Sequence, residues 1–212
     1  DEGAILKFRG ASILSGSTAP ALNQSGSAVQ ILGTPDNQVF LGSYRDDSLG
    51  GDSDGFSETP SPGDWGGILF IGDVDQQNDR FHYEDQGIFL NHINNATISN
   101  AGGQIAVDSI SQTAAPIEMR DVRVTATFNT ISNSAESAIA ASPDSFEETN
   151  FHSPEFQTVE FSADYSRVGP VIHGNTLVDN TFNALFIRTE TVAGEELRPM
   201  TVTGRWDDTD IP

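Results

Sequence analysis

Three stretches of this chain repeat one pattern: Ile93-Asn94-Asn95-Ala96-Thr97-Ile98-Ser99-Asn100, Thr127-Phe128-Asn129-Thr130-Ile131-Ser132-Asn133, and Ile172-His173-Gly174-Asn175-Thr176-Leu177-Val178-Asp179-Asn180. Each places an asparagine shortly before an aliphatic residue and another shortly after it. The second and third lead on into Ser137-Ala138-Ile139-Ala140 and Asn183-Ala184-Leu185-Phe186. Recurrence of this kind is the mark of a solenoid. One short coil cannot bury its own apolar face, whereas a stack of coils can. The pattern predicts that Ile98, Ile131 and Val178 point inward and stack along the axis. It puts Asn95, Asn100, Asn129, Asn133, Asn175 and Asn180 at the bends. Asparagine there tolerates left-handed backbone, and its amide reaches the neighbouring coils. The interval of 47 from Asn133 to Asn180 reads as two coils of roughly 20–25 residues, and the 33 from Asn100 to Asn133 as one coil plus an insertion. The competing architecture is a β-sandwich with asparagine-rich turns.

The rest of the chain agrees with short strands. Apolar runs such as Val39-Phe40-Leu41, Ile68-Leu69-Phe70-Ile71 and Ala184-Leu185-Phe186-Ile187 are punctuated by Gly, Asn, Asp or Ser, which is strand spacing. No window of a dozen residues carries a helical stripe. Residues 134–142 are alanine-rich, but Asn133 and Pro143 limit them to a turn.

Composition removes several function classes. The chain has 212 residues, with 31 acidic against 10 basic residues and a formal charge of -21. Nucleic acid is excluded as a partner, because phosphate contacts need clustered lysine and arginine, and Lys7 is the one lysine. There is no cysteine, which excludes thiol catalysis, disulfides and thiolate metal sites. No apolar run is long enough for a transmembrane segment. The acid excess suits divalent cations or a salty medium. The start at Asp1, without an initiator methionine, points to a processed product or an excised piece.

Three further motifs carry a resemblance. They are Gly33-Thr34-Pro35-Asp36-Asn37-Gln38-Val39-Phe40-Leu41, then Arg45-Asp46-Asp47-Ser48-Leu49-Gly50-Gly51-Asp52-Ser53-Asp54-Gly55, then Pro62-Gly63-Asp64-Trp65-Gly66-Gly67-Ile68. Together they resemble right-handed parallel β-helix repeat proteins, large secreted or cell-surface proteins of bacteria. The likeness covers residues 30–72 well and extends loosely to about residue 190. The closing Val202-Thr203-Gly204-Arg205-Trp206-Asp207-Asp208 is also similar to a recurring segment of such proteins. The resemblance implies an all-β, right-handed parallel β-helix and an extracellular or cell-surface location. It is a poor guide to activity, since polysaccharide lyases, hydrolases, adhesins and passive stalks share the architecture. Residues 33–41 would then close one coil, 42–64 would loop out, and Trp65-Gly66-Gly67 would re-enter the stack. The glycines there suit close backbone approach, and Trp65 suits a cover over the loop's base, with an exposed sugar platform as the alternative.

Asp46, Asp47, Asp52 and Asp54 are the candidate metal ligands, with Glu58 and Asp64 further along the same loop. Carboxylates this dense repel one another unless neutralised, and calcium, taking six to eight oxygens from flexible loops, is the candidate cofactor. Arg45 is the competing neutraliser. The run is not an EF-hand, because positions one and twelve would be Gly50 and Ser61. A second acidic stretch, Asp73, Asp75, Asp79, Glu84 and Asp85, lies beside Arg80 and His82 without a spaced catalytic signature. His92 and His173 precede asparagines of different coils. Stacking would bring them together if they shared a rank; otherwise they are surface residues. No nucleophile elbow or phosphate loop is present, and no catalytic residue is assigned. In the insertion at about 143–166, Phe146, Phe151, Phe156 and Phe161 suit a cover packed back onto the stack.

The expectation is one domain over residues 1–212 with inserted loops near 42–64 and 143–166, in roughly seven to nine coils. Neither end carries an evident polar cap, so the partners expected are copies of this chain or further coils of a parent chain, with polysaccharide as a second class. The functional expectation is a non-catalytic structural protein, adhesive or filament-forming. The alternative is a polysaccharide-degrading enzyme or a carbohydrate-binding module.

Overall fold

The computed structural model describes residues 2–15, 28–71, 91–107, 110–120, 122–146, 148–150, 166–168, 170–189 and 210–212. Fourteen of the strands make three parallel sheets. In the first sheet β1 (Ile5–Phe8), β4 (Val39–Ser43), β7 (Ala96–Ser99), β12 (Thr130–Ser132) and β17 (Thr176–Val178) lie side by side. In the second, β2 (Ser12–Ser15), β5 (Gly67–Ile71), β10 (Ile117–Arg120), β13 (Ser137–Ala141) and β18 (Phe182–Ile187) follow the same order. The third holds β3 (Gln30–Leu32), β6 (His92–Asn94), β11 (Thr125–Thr127) and β16 (Val171–His173). The chain passes from third sheet to first to second and repeats, which is a right-handed β-helix of five rungs among the described residues.

Inward side chains form vertical columns. Ile13, Ile68, Ile117, Ile139 and Leu185 are register partners across the second sheet. Leu6, Leu41, Ile98, Ile131 and Leu177 are partners across the first. Ile31, Ile93, Ala126 and Ile172 complete the triangle. Ile68, Ile93, Ile98, Ile117, Ile131, Ile139 and Ile172 are fully buried, and each such aliphatic contributes about 1.5–3 kcal/mol. Ile98 and Ile131 stack as the repeats predict, but the next residue of the column is Leu177. Val178 falls one position later, faces outward and is 41% exposed. Side chains alternate along a strand, so a shift of one residue changes the face.

The coil count also differs from the expectation. Thr130 pairs with Thr176 in adjacent strands, so the interval of 46 is one turn with an insertion rather than two turns. The insertion contains the 3-10 turn Pro143–Phe146 and the antiparallel pair β14 (Glu148–Asn150) with β15 (Ser166–Val168). Phe146 is buried in the main core, while Phe151, Phe156 and Phe161 lie outside the described residues. The 33-residue interval holds another insertion, the hairpin of β8 (Gln104–Val107) and β9 (Ile110–Thr113). Its Ile105 and the following Ala114 cover Leu69 and Ile71 on the outer face of the second sheet.

The bends explain the asparagines, and they divide them into two kinds. Asn95, Phe128 and Gly174 occupy one left-handed column, with φ of 48°, 56° and 66°, and Asn100, Asn133 and Asp179 another, at 60°, 52° and 54°. Such angles favour Gly, Asn and Asp; Phe128 is the exception, and a Cβ on Gly174 would lie 2.5 Å from its ring. The residues immediately after these turn inward and reach the preceding rung. Asn129 accepts from Ala96 N at 2.9 Å and donates to Ile93 O at 2.9 Å. Asn175 accepts from Asn129 N and donates to Ala126 O. Asn180 accepts from Ser134 N and donates to Ile131 O. Backbone groups that no strand can satisfy at a corner thus find side-chain partners.

Beyond the last full rung, Ile211 packs against the core, and the Asp210 carboxylate accepts from Gly174 N at 2.7 Å. Asn129→Ala is expected to lower unfolding free energy by about 2–5 kcal/mol in urea denaturation, since two buried backbone groups lose partners at about 1–3 kcal/mol each. Asn133→Gly, which keeps the left-handed turn, is expected to change it by less than about 0.5 kcal/mol. Equal effects would contradict the division into two kinds of asparagine.

Candidate functional site

The loop between β4 and β5 leaves and re-enters the stack through a narrow neck. Ser43 is the last residue of β4, and its Oγ donates to Asp64 Oδ2 at 2.6 Å. Ser61 N donates to the same oxygen, and Arg45 Nη1 lies 3.0 Å from Asp64 Oδ1. Arg45 Nε meets Glu58 Oε2 at 2.6 Å. Trp65 is buried, stacks on Phe8 with ring centroids 4.4 Å apart, and donates Nε1–H to Ser99 O at 2.8 Å. It is the cover over the loop's base and not a sugar platform. A Cβ at Gly66 would lie 2.1 Å from Ile105 Cγ2, and Gly67, at φ 110°, would place one 2.5 Å from Ala115 O. The re-entry therefore admits nothing larger than glycine.

Outside the neck the loop is organised by its own aspartates. Asp46 Oδ1 accepts from Ser48 N and Oγ. Asp52 Oδ1 accepts from Asp54 N and Gly55 N, and Asp54 Oδ1 from Phe56 N. Lys7 Nζ donates to Gly51 O at 2.5 Å, and Tyr44 OH donates to Ser53 O, tying the loop to the first rung. Asp47, Asp52 and Asp54 each offer one oxygen, all within 4.8 Å of one another. That is the span of oxygens sharing one calcium-sized ion, whose bonds run about 2.3–2.6 Å. Asp47 Oδ1 is buried and has no hydrogen-bond partner. The three carboxylates are capable of coordinating a metal ion; Asp46 lies outside the group, held by Ser48. Arg45 serves Glu58 and Asp64 rather than these three.

Two clefts among the described residues flank the stack. One, of about 470 Å³, lies between the first rung and the loop and is lined by Phe8, Arg9, Tyr44, Phe56, Asp54 and Glu58 among others. The other, of about 480 Å³, lies on the second sheet around a charge network that sequence reading missed. Buried Glu118 accepts from Arg120 and from Ala115 N. Arg188, two rungs away, pairs with Glu136 at 3.0 Å and comes within 3.9 Å of Glu118. The alternation Ile117-Glu118-Met119-Arg120, apolar in and charged out, was the available signal.

His92 and His173 are not brought together: they occupy different ranks of the third sheet, with β11 between them. The second acidic stretch, with Arg80 and His82, lies outside the described residues, as does Trp206. No helix among the described residues is long and apolar enough to cross a membrane.

No family model, curated protein or solved structure matches the chain. The fold rests on its own strand order, and it is one used by structural and adhesive proteins and by carbohydrate-active enzymes alike.

Asp64→Ala removes three donors' acceptor at a side chain only 10% exposed. It is expected to cost about 2 kcal/mol, read as a Tm fall of about 4–8 °C. Glu58→Ala, at a half-exposed pair, is expected to shift stability by less than about 1 kcal/mol. A reversed order of the two would show that Asp64 is not the keystone of the neck.

Proposed function

We propose that this chain is a non-catalytic structural segment of an extracellular or cell-surface rod, and that its acidic loop binds calcium through Asp47, Asp52 and Asp54. One observation supports the structural reading above the others. Three of the four arginines that line these clefts are paired within the protein: Arg45 with Glu58 and Asp64, Arg120 with Glu118, and Arg188 with Glu136. Groups tied in this way hold a shape. A stiff stack of parallel rungs, acidic outside, suits a spacer or an adhesive stalk.

Calcium is favoured over other ions because the donors are carboxylate oxygens on a loop. The buried, unpartnered Asp47 oxygen would gain a partner from the ion. Copies of the chain, or further coils of a parent chain, are the partners that suit the two ends. Among the described residues, the strands of the first and last rungs have a hydrogen-bonded neighbour on one side only.

Calcium at about ten times Kd is expected to add about 1.4 kcal/mol, a Tm rise of about 3–6 °C for a chain of this size, reversed by a chelator. The Asp52→Asn, Asp54→Asn double variant is expected to lose the response. An identical Tm with calcium and with chelator would remove the calcium assignment. Incubation with pectin, alginate and other uronate polymers is expected to give no reducing ends or unsaturated products; turnover would replace the structural reading with an enzymatic one.

A further inference from the structure

The cleft between the first rung and the acidic loop has a lining whose chemistry selects a ligand class. Its volume of about 470 Å³ falls in the range of small-molecule sites, about 300–1,000 Å³. Three aromatic side chains line it, Phe8, Tyr44 and Phe56; the Phe8 ring is stacked on Trp65, which leaves Tyr44 and Phe56 to face a ligand. Phe56 is 68% exposed, yet its backbone is pinned. Its N–H donates to Asp54 Oδ1 at 2.8 Å, its carbonyl accepts from Glu58 N at 3.1 Å, and Gly55 before it turns at φ 77°. A large apolar ring held out in a cleft by a built turn is an informative exposure, unlike a lone leucine on an open surface.

The charges in the cleft are nearly balanced. Arg45 is shared by Glu58 and Asp64. Arg9 sets its guanidinium over the Tyr44 ring at 5.9 Å. An incoming cation would have to compete with Arg9 for that ring. An incoming anion would meet three lining carboxylates and a chain of formal charge -21. A neutral ligand meets neither obstacle. It needs flat C–H faces for Tyr44 and Phe56 and hydroxyls that donate to Asp54 and Glu58 and accept from Arg9. We infer that this cleft binds a neutral saccharide. The structural reading of the rod is untouched by this site, which adds a ligand-binding cleft beside the first described rung. The inference does not rest on bound calcium, although Asp54 borders both sites.

The test is titration of the whole chain, in chelator so that the loop holds no metal, with cellohexaose, laminarihexaose, mannohexaose and xylohexaose. Trilysine and an oligogalacturonate serve as charged competitors. At least one neutral oligosaccharide is expected to bind, and Phe56→Ala is expected to weaken it about ten-fold or more. Because the Phe56 ring is mostly exposed, the variant's Tm is expected to match that of the native chain. The inference is overturned by any of three results: no neutral probe binding up to about 10 mM, equal binding by Phe56→Ala, or tighter binding of either charged probe. Calcium sensitivity of the Tm is measured separately, so the two sites stand or fall apart.

Discussion

The structure depends on vertical register between rungs. Each rung is too thin to have an interior of its own, so every inward aliphatic is buried by the residue above and the residue below. Register must therefore be reset on every turn, and the bends do this. In each of two columns a left-handed residue turns the chain, and the residue after it points inward. Asn129, Asn175 and Asn180 take that second position and bond across to the preceding rung. A rung slipped by one residue would lose its buried aliphatics to the surface and strand these amides in an apolar interior, where each unpaired group costs about 1–3 kcal/mol.

Because register is reset locally, the chain between strands is free to vary. The loop between β4 and β5, the hairpin of β8 and β9, and the segment holding β14 and β15 all leave the stack and return to it. Loop closure grows costlier only slowly with length, so insertions of different size coexist with one rung spacing. The chemistry concentrates where they leave. The three-carboxylate group and the aromatic cleft both belong to the loop after β4, and the Glu118–Arg188 network forms where the β8–β9 hairpin and the ends of three rungs meet on the second sheet. The trunk is occupied by packing and holds no comparable freedom.

Much of the fold was legible because repetition is a property of sequence. The three asparagine segments pointed to stacked coils, and the resemblance implied that Trp65-Gly66-Gly67 marks the re-entry of a loop. The period was misread for a physical reason: an insertion adds residues without adding a rung, so the interval from Asn133 to Asn180 looked like two turns and is one. The column was misread at Val178 because Leu177 and Val178 are both aliphatic, and only pairing shows which faces inward. In the acidic loop, the residues were legible as a set. Which three carboxylates converge, and that Arg45 turns instead to Glu58 and Asp64, depended on backbone turns that no spacing rule describes. Of the Glu118, Arg120, Glu136 and Arg188 network only the alternation at 117–120 was legible, because its members are up to 70 positions apart, from 118 to 188.

By itself, then, the chain's sequence determined that short strands would stack in coils, that bends would carry asparagine, and that thiol chemistry has no cysteine to carry it. These follow from composition and local pattern, which act through neighbours a few residues apart. Tertiary structure alone decided the number of residues in a turn, the inward residue of each strand, and the side chains gathered at the neck, the metal-competent triad and the two clefts. Those contacts join residues from different rungs. Their distance in the chain is set by insertions that solvent tolerates at almost any length, so the sequence holds no measure of it until the rungs are paired.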